Sequence, residues 1–333
     1  MPAEAPEQPP EQPDGRPRAW PAKLPPGYSA RPATLADAAA VAAVIAADQA
    51  QHMGKGETTA AHVLADWGGA DLAEESLVIE DPAGRVVAAA DFVLSRAELV
   101  LAYGYVHPEF TGRGIGTCLI SFFEGKAARL SATPARVRHY LPERNGPAAA
   151  LLTTNGYQLV RAVLRMEREL AEPPPAPAWP ADVSVRAYRG EVDEPTVYEA
   201  FELGSTGMWG RPGNDLKQWT ARAFTYDPTL FRIAQSSGSI VGLAISEVPA
   251  PDDPAANGHV QSLRVVPEWR RRGLGGALLA DALWLLHGRG ARSVHLTVDS
   301  ESPSGAPRLY LAAGMRVTAR YLVYERQPAP ATP

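Results

Sequence analysis

The stretch that decides the fold occurs twice: GYVHPEFTGRGIGTCLISFFEGKA at 104–127 and LRVVPEWRRRGLGGALLADALWLL at 263–286 (104 to 263, an offset of 159). Each copy runs from a strand-like segment through Pro-Glu and an aromatic residue into a glycine turn, then into a helix with apolar periodicity. Two further matches follow in the same order. ALLTTNGYQLV at 150–160 aligns with RLYLAAGMRV from Arg308, and MERE at 166–169 with YERQ at 324–327, both at an offset of 158 (150 to 308, 166 to 324). A period this long exceeds any solenoid repeat, so the chain is a tandem duplication of one domain.

Proline marks where the copies begin and end. Of 32 prolines, nine fall in residues 1–26, five in 171–182 and three in 327–333. Proline removes a backbone donor and breaks helices and sheets, so these stretches read as a disordered arm, a Pro-rich linker and a tail. The compact segments are then 27–170 and 183–326. With 333 residues, 45% apolar and 21% charged, each segment can bury an ordinary core. The one cysteine, Cys118, reads as a small core residue; it excludes an intramolecular disulfide and any CxxC zinc site, and suits a reducing cytoplasm. The opening MPAEAPEQPPEQPDG has no basic n-region and no apolar h-region, so no signal peptide is expected. No uncharged apolar run approaches the ~18 residues of a membrane span. A net charge of -5 argues against a nucleic-acid partner, and the seven histidines show no metal-ligand spacing. The expectation is a cytoplasmic monomer or homodimer with neither metal, membrane nor nucleic acid.

Within each segment the order of elements is the same. A polar helical opening (Ala36–Asp48; Thr196–Leu203) precedes a second helical stretch (Ala61–Trp67; through Trp219). Three β-type runs follow: SLVIED, RVVAAADFVL and LVLAYGYV in the first copy, LFRIAQS, SIVGLAISEV and GHVQSLRVV in the second. The glycine turn then opens a long helix (Ile115–Leu130; Leu274–His287). A strand (Arg136–Leu141; Ser293–Val298), a short helix and two final strands close each unit. The fold class is α+β, with a mixed, mostly antiparallel sheet flanked by helices in each copy.

In the turn Arg270-Arg271-Arg272-Gly273-Leu274-Gly275-Gly276, glycines allow close backbone approach and the first helical N–H groups point outward without intrahelical partners. The positive end of the helix dipole and three arginines make this an anion site, although glycines that only allow a sharp turn beside solvated arginines are the alternative. No GxxxxGK[ST] exists, and GRGIGT in the first copy lacks the third glycine of GxGxxG.

The run V-x-P-E-x-R-R-R-G-L-G-G-A-L-L, followed about 40 residues later by L-Y-x-x-x-G-M, resembles the acetyl-CoA-binding core of the GNAT N-acetyltransferase superfamily. Its [QR]-x-x-G-x-[GA] signature is met by Arg270, Gly273 and Gly275; the first copy has Thr111, Gly114 and Gly116, so its first position departs. In layout the chain resembles the tandem GNAT proteins, which include the mycothiol synthases. The resemblance implies that acetyl-CoA pyrophosphate sits on the backbone amides of the turn, at Arg271, Arg272, Gly273, Leu274, Gly275 and Gly276, with Arg270 as a further coenzyme-binding residue. It also implies that the pantetheine arm pairs with the preceding strand at Leu263, Arg264 and Val265. The corresponding positions of the first copy are Tyr105 and Val106, then Gly112, Arg113, Gly114, Ile115, Gly116 and Thr117, with Asn145 as a further coenzyme contact.

The catalytic expectation falls on the second copy. Tyr310 stands where the family places its general acid, and the first copy has Leu152 there; a packing tyrosine is the alternative. The family's base position, eleven residues before Arg270, holds His259, whose unperturbed pKa of ~6.5 suits a base near neutrality. The first copy has Val100 there, and Glu247 and Asp299 are reserve bases. A strand histidine that is merely hydrogen-bonded is the alternative for His259. The loop GSTGMWGRPGNDLKQW (204–219) reads as an acceptor loop, with Asn214 or Asp215 as a helix cap or Asp215 as an ammonium partner. The expected function is acetyl-CoA-dependent N-acetylation of a small-molecule primary amine. A catalytically silent acetyl-CoA-binding protein and a protein N-terminal acetyltransferase are the alternatives.

Overall fold

The computed structural model describes residues 24–95, 98–129, 135–210, 227–248 and 257–328. Most of the expected N-terminal arm, the end of the tail, and Asn214, Asp215 and Trp219 of the expected acceptor loop lie outside the described residues.

The chain forms two compact units, and their composition differs from the one drawn from proline content. Unit 1 comprises Met1–Val160 together with Val323–Pro333, and unit 2 comprises Arg161–Leu322. In unit 1, β1 (Ser29–Arg31) is followed by helices Ala38–Met53, Ala60–Asp66 and Leu72–Glu75, then β2 (Ser76–Glu80), β3 (Val86–Ser95) and β4 (Leu99–Val106). The helix Ile115–Arg129, β5 (Arg136–Pro142) and the helix Gly146–Thr154 complete the first stretch. Strands β1 to β4 pair antiparallel in order, and β4 pairs parallel with β5.

Strand β6 (Gln158–Glu169) starts in unit 1 and runs on into unit 2. There follow β7 (Ser184–Ala187), the helix Glu194–Gly204, β8 (Phe231–Ser236), β9 (Ser239–Glu247) and β10 (Asn257–Val265). The helix Leu274–Gly288, β11 (Ser293–Asp299), the helix Ala306–Ala312 and β12 (Arg316–Arg326) close the chain. Strands β7 to β10 pair antiparallel, β10 pairs parallel with β11, and β11 pairs antiparallel with β6 from Asp299↔Val163 to Ser293↔Glu169. Each unit thus takes closing residues from beyond its own copy of the repeat. In unit 1, Glu325 of the returning segment accepts hydrogen bonds from Arg138 Nε (2.5 Å) and Arg136 Nη1 (3.2 Å). Each copy ends in one continuous strand rather than the two expected, because neither 158–169 nor 316–326 holds a glycine or proline to turn the chain.

Local chemistry explains the elements. The β2–β3 turn is closed by Asp81, whose Oδ1 accepts from the Ala83 and Arg85 N–H groups (2.9 and 3.0 Å). The β8–β9 turn places Ser237 and Gly238 at φ 50° and 81°, the left-handed pair that a two-residue hairpin requires. Both units open with the same ion pair. The Arg31 guanidinium grips both oxygens of Asp37 at 2.7 Å, and Arg186 grips those of Asp193 at 2.5 and 2.9 Å.

The Leu274–Gly288 helix fills one side of the unit 2 sheet. Leu274 and Leu278 pack on Ala234, Val241, Ala244 and Val266, and Trp179 of the Pro-rich segment packs against the same cluster. Leu279, Leu283 and Leu286 meet Met166, Val260, Val294 and Tyr310. On the other side, Val197 and Ala200 of the Glu194–Gly204 helix cover Phe231, Ile233, Leu243 and Ile245. Among the described residues no helix is long and apolar enough to cross a membrane.

Candidate functional site

The glycine turn of unit 2 leaves β10 through a short 3-10 turn, Pro267–Trp269, and enters the Leu274–Gly288 helix. Arg271 (φ 60°) and Gly273 (φ 83°) take left-handed backbone conformations, and unit 1 matches them at Gly112 (φ 74°) and Gly114 (φ 84°). The two turns therefore share one backbone path, and unit 2 follows it with an arginine where unit 1 uses glycine. The N-cap residue, Gly273, has no side chain to cap the helix. The N–H groups of the first helical turn face outward with the positive end of the dipole, the arrangement a phosphate group fills. A Cβ at Gly275 would lie 3.3 Å from Leu309 Cδ2, and one at Gly116 would lie 2.7 Å from Leu151 Cδ2. The last signature glycine thus serves close packing against the distal helix in both units. Ile115 is fully buried, and Cys118 is buried in the same helix.

The three arginines do different work. Arg270 is turned back into the protein: its Nε donates to Val265 O (3.1 Å) and its Nη2 to Gly204 O (3.0 Å) and Thr206 O (3.2 Å). Its side chain stitches the end of β10 to the loop after the Glu194–Gly204 helix. Arg272 lies over the Trp269 ring at 5.1 Å, and Arg271 is exposed. In unit 1, Arg113 donates to Tyr28 Oη (3.0 Å) and Glu109 O (3.1 Å) and packs on Phe110, while Thr111 Oγ1 donates to Pro108 O (2.9 Å).

The parallel strands β10 and β11 are in register only from Asn257↔Ser293 to His259↔His295. Past that pair β10 has no registered partner on its β11 side, and an opening begins. Val266 N–H donates to Val241 O on β9 (3.1 Å), so by alternation Leu263 and Val265 direct their backbone groups toward the opening and Arg264 toward β9. The carbonyls of Leu263 and Val265 accept from Arg264 Nη1 (3.0 Å) and Arg270 Nε. The same parting occurs in unit 1, where β4 and β5 are in register from Leu99 to Ala102 and Tyr105 and Val106 lie beyond it. An extended amide-bearing arm fits such a gap, and an anion fits the turn beside it.

Tyr310 is buried, 7% exposed, on the Ala306–Ala312 helix. Burial raises its pKa above the ordinary phenol value, and the Arg264 guanidinium works against that rise. Arg264 is held by Ser205 Oγ (3.0 Å) and lies over the Phe201 ring at 5.0 Å. His259 Nδ1 stands 3.6 Å from Glu247 Oε2, so the expected base and its reserve are neighbours. Asp299 instead pairs with Arg161 (3.2 Å). Asn145, the expected coenzyme contact of the first copy, caps the Gly146–Thr154 helix, its Oδ1 accepting from Ala148 N–H (3.1 Å). The sequence reading missed His295, whose ring stacks on His259 at 4.6 Å. Its only signal was a histidine on the strand that follows the helix.

Comparison with known proteins agrees with this geometry. Residues 195–315 match the family described as acetyltransferase (GNAT) family. A mycothiol acetyltransferase of Parafrankia sp. (strain EAN1pec) is 32% identical over 257 residues, 69% of this chain and 76% of that protein. The crystal structure of a GCN5-related N-acetyltransferase from Sphaerobacter thermophilus superposes with a TM-score of 0.81 at 36% identity, covering 93% of this chain and 98% of that one. A tandem GNAT protein from the clavulanic acid biosynthesis pathway shares the fold at a TM-score of 0.69 and 16% identity, over 92% of this chain and all of that one (100%). Relatedness over most of the chain and the paired turns lead to one conclusion: the chain belongs to the GNAT family of N-acetyltransferases, whose acetyl donor is acetyl-CoA.

Proposed function

We propose that unit 2 acetylates the primary amine of a small molecule and that unit 1 has a supporting role. The observation that carries this reading is a convergence in unit 2: a glycine turn whose N-cap residue has no side chain, a parting of β10 from β11, and a buried phenol at Tyr310. Unit 1 has the turn and the parting but holds Leu152 and Val100 where unit 2 holds Tyr310 and His259. The name of the Parafrankia relative, mycothiol acetyltransferase, supports a small-molecule acceptor.

Acetyl-CoA supplies an acetyl thioester. The amides from Arg271 to Gly276 would hold its pyrophosphate, and the N–H groups of Leu263 and Val265 would pair with its amide arm. With Glu247 Oε2 3.6 Å from Nδ1 of His259, the other ring nitrogen, Nε2, would be the base for the amine proton. The Tyr310 phenol, raised by burial, stays protonated at neutral pH, and Arg264 eases its loss of a proton to the departing sulfur.

The test is thiol release from acetyl-CoA over a panel of small primary amines and N-terminal peptides. Small amines should support turnover, and Tyr310→Phe should lower it about 10²–10⁴-fold with acetyl-CoA binding retained. Turnover with peptides alone would overturn the small-molecule reading, and undiminished turnover in Tyr310→Phe would remove the general acid.

A further inference from the structure

Four ionisable side chains stand in register across four neighbouring strands of unit 2. Glu247 on β9 pairs with His259 on β10, His259 with His295 on β11, and His295 with Glu167 on β6. Residues directly paired across strands share one face of a sheet, so the row reads Glu-His-His-Glu. The two imidazoles are stacked, 4.6 Å between centroids and 7° from parallel. Glu247 Oε2 lies 3.6 Å from His259 Nδ1 at one end. Glu167, at the other end, is only 6% exposed, a degree of burial that carboxylates seldom reach. The central pair is also the last registered pair before β10 and β11 part.

Stacked imidazoles accommodate one positive charge well, since a charged ring is attracted to a neutral π face. Two charged rings at that spacing repel, and a carboxylate at either end favours one proton over none. We propose that His295 and Glu167 are positioning residues for the base, joining His259 and Glu247 in one proton-sharing row. This rests on the assignment of His259 as the base. In the step it serves, the amine N–H bond breaks and its proton passes to Nε2 of His259. The N–C bond to the acetyl carbon forms, the C–S bond breaks, and the sulfur takes its proton from Tyr310. The row ends one charge more positive, and Glu247 and Glu167 offset that charge.

Other charged groups near this face are largely paired among themselves. Arg161 bonds Asp299 and Glu301 (3.2 and 2.6 Å), and Arg316 lies 3.6 Å from Glu169. Arg165 flanks Glu167 on β6, and Arg264 lies farther along β10, held by Ser205. The helix packed on this face brings the half-buried carboxylates Glu194 and Glu202.

The experiment follows the imidazole nitrogens of His259 and His295 in ¹⁵N-labelled full-length protein against pH, alongside kcat/KM. Both rings should titrate in two shared steps, the signature of coupled sites. His295→Phe, which keeps a stacking ring, should reduce the His259 titration to one step; His295→Gln provides a second variant if the first melts early. Glu167 lies two strand spacings from His259, roughly 10 Å, so Glu167→Gln should lower the first step by about 0.3 to 1 pH unit. The acid limb of kcat/KM should move with it. A single His259 step with the same midpoint in wild type, His295→Phe and Glu167→Gln would overturn the proton-sharing row. Full turnover in His259→Ala would overturn the base assignment, and the row's part in catalysis with it, whatever the nitrogen shifts show.

Discussion

Replacing Arg270 separates two readings of the signature arginine. In the structure its guanidinium is spent on three backbone carbonyls, Val265, Gly204 and Thr206, at 3.0–3.2 Å. Two of these bonds are partly buried and one is exposed. A hydrogen bond from a charged donor contributes about 1.5–3 kcal/mol, and less where water competes, so Arg270→Leu should cost about 2–3 kcal/mol. For a unit of this size that corresponds to a melting shift of roughly 5–10 °C. The backbone at 270 is extended (φ -66°, ψ 152°), which leucine adopts freely, so the turn itself should persist. Acetyl-CoA affinity should then change by less than about threefold, less than the loss of one charge-assisted phosphate contact would produce. Thermal melting and calorimetric titration with acetyl-CoA, each at low and high salt, measure both quantities. An unchanged melting temperature with affinity weakened tenfold or more at low salt would refute the stitching role and restore Arg270 as a phosphate ligand.

The signature glycines allow a matched comparison. Gly116→Ala should lower the melting temperature more than Gly275→Ala, because the new Cβ meets Leu151 at 2.7 Å in one case and Leu309 at 3.3 Å in the other. Acid should weaken unit 2 through Asp193: burial pushes its carboxyl up, but bonds from Arg186 and Arg189 outweigh burial and bring it down to about 2. A depressed carboxyl stabilises the fold above its unfolded pKa of ~3.9, and that stability, about 2 kcal/mol, is lost as pH falls toward 2. Urea midpoints measured from pH 6 to pH 2 should show this loss in the wild type, and Asp193→Asn should flatten its share of it.

Much of the fold was legible because its signals are local. Glycine at the turn, apolar periodicity in the following helix and valine-rich strands are properties of neighbouring residues, and the duplication doubles each of them. The exchange of closing strands was not legible. MERE and YERQ announce a strand in each copy, but alternation says only that a strand exists, not which sheet receives it. The different settings of the three adjacent arginines were not legible, because they look alike until geometry shows which one meets a carbonyl. Asn145 carried a readable cap signal, standing just before Gly146-Pro147 at a helix start. His295 depended on register between strands separated by a whole helix, which spacing alone does not fix.

The crossing of the chain at residues 160/161 and again at 322/323 has a consequence for biosynthesis. Unit 1 is discontinuous, and its returning segment is made only after the whole of unit 2. At about 5–20 residues per second, a ribosome that has finished Val160 takes roughly 8–30 s to reach Val323. During that interval the first sheet waits with its β5 edge uncovered, while unit 2 is synthesised in full. The nascent first unit is therefore an open-edged intermediate until the segment from Val323 has been made and can reach it.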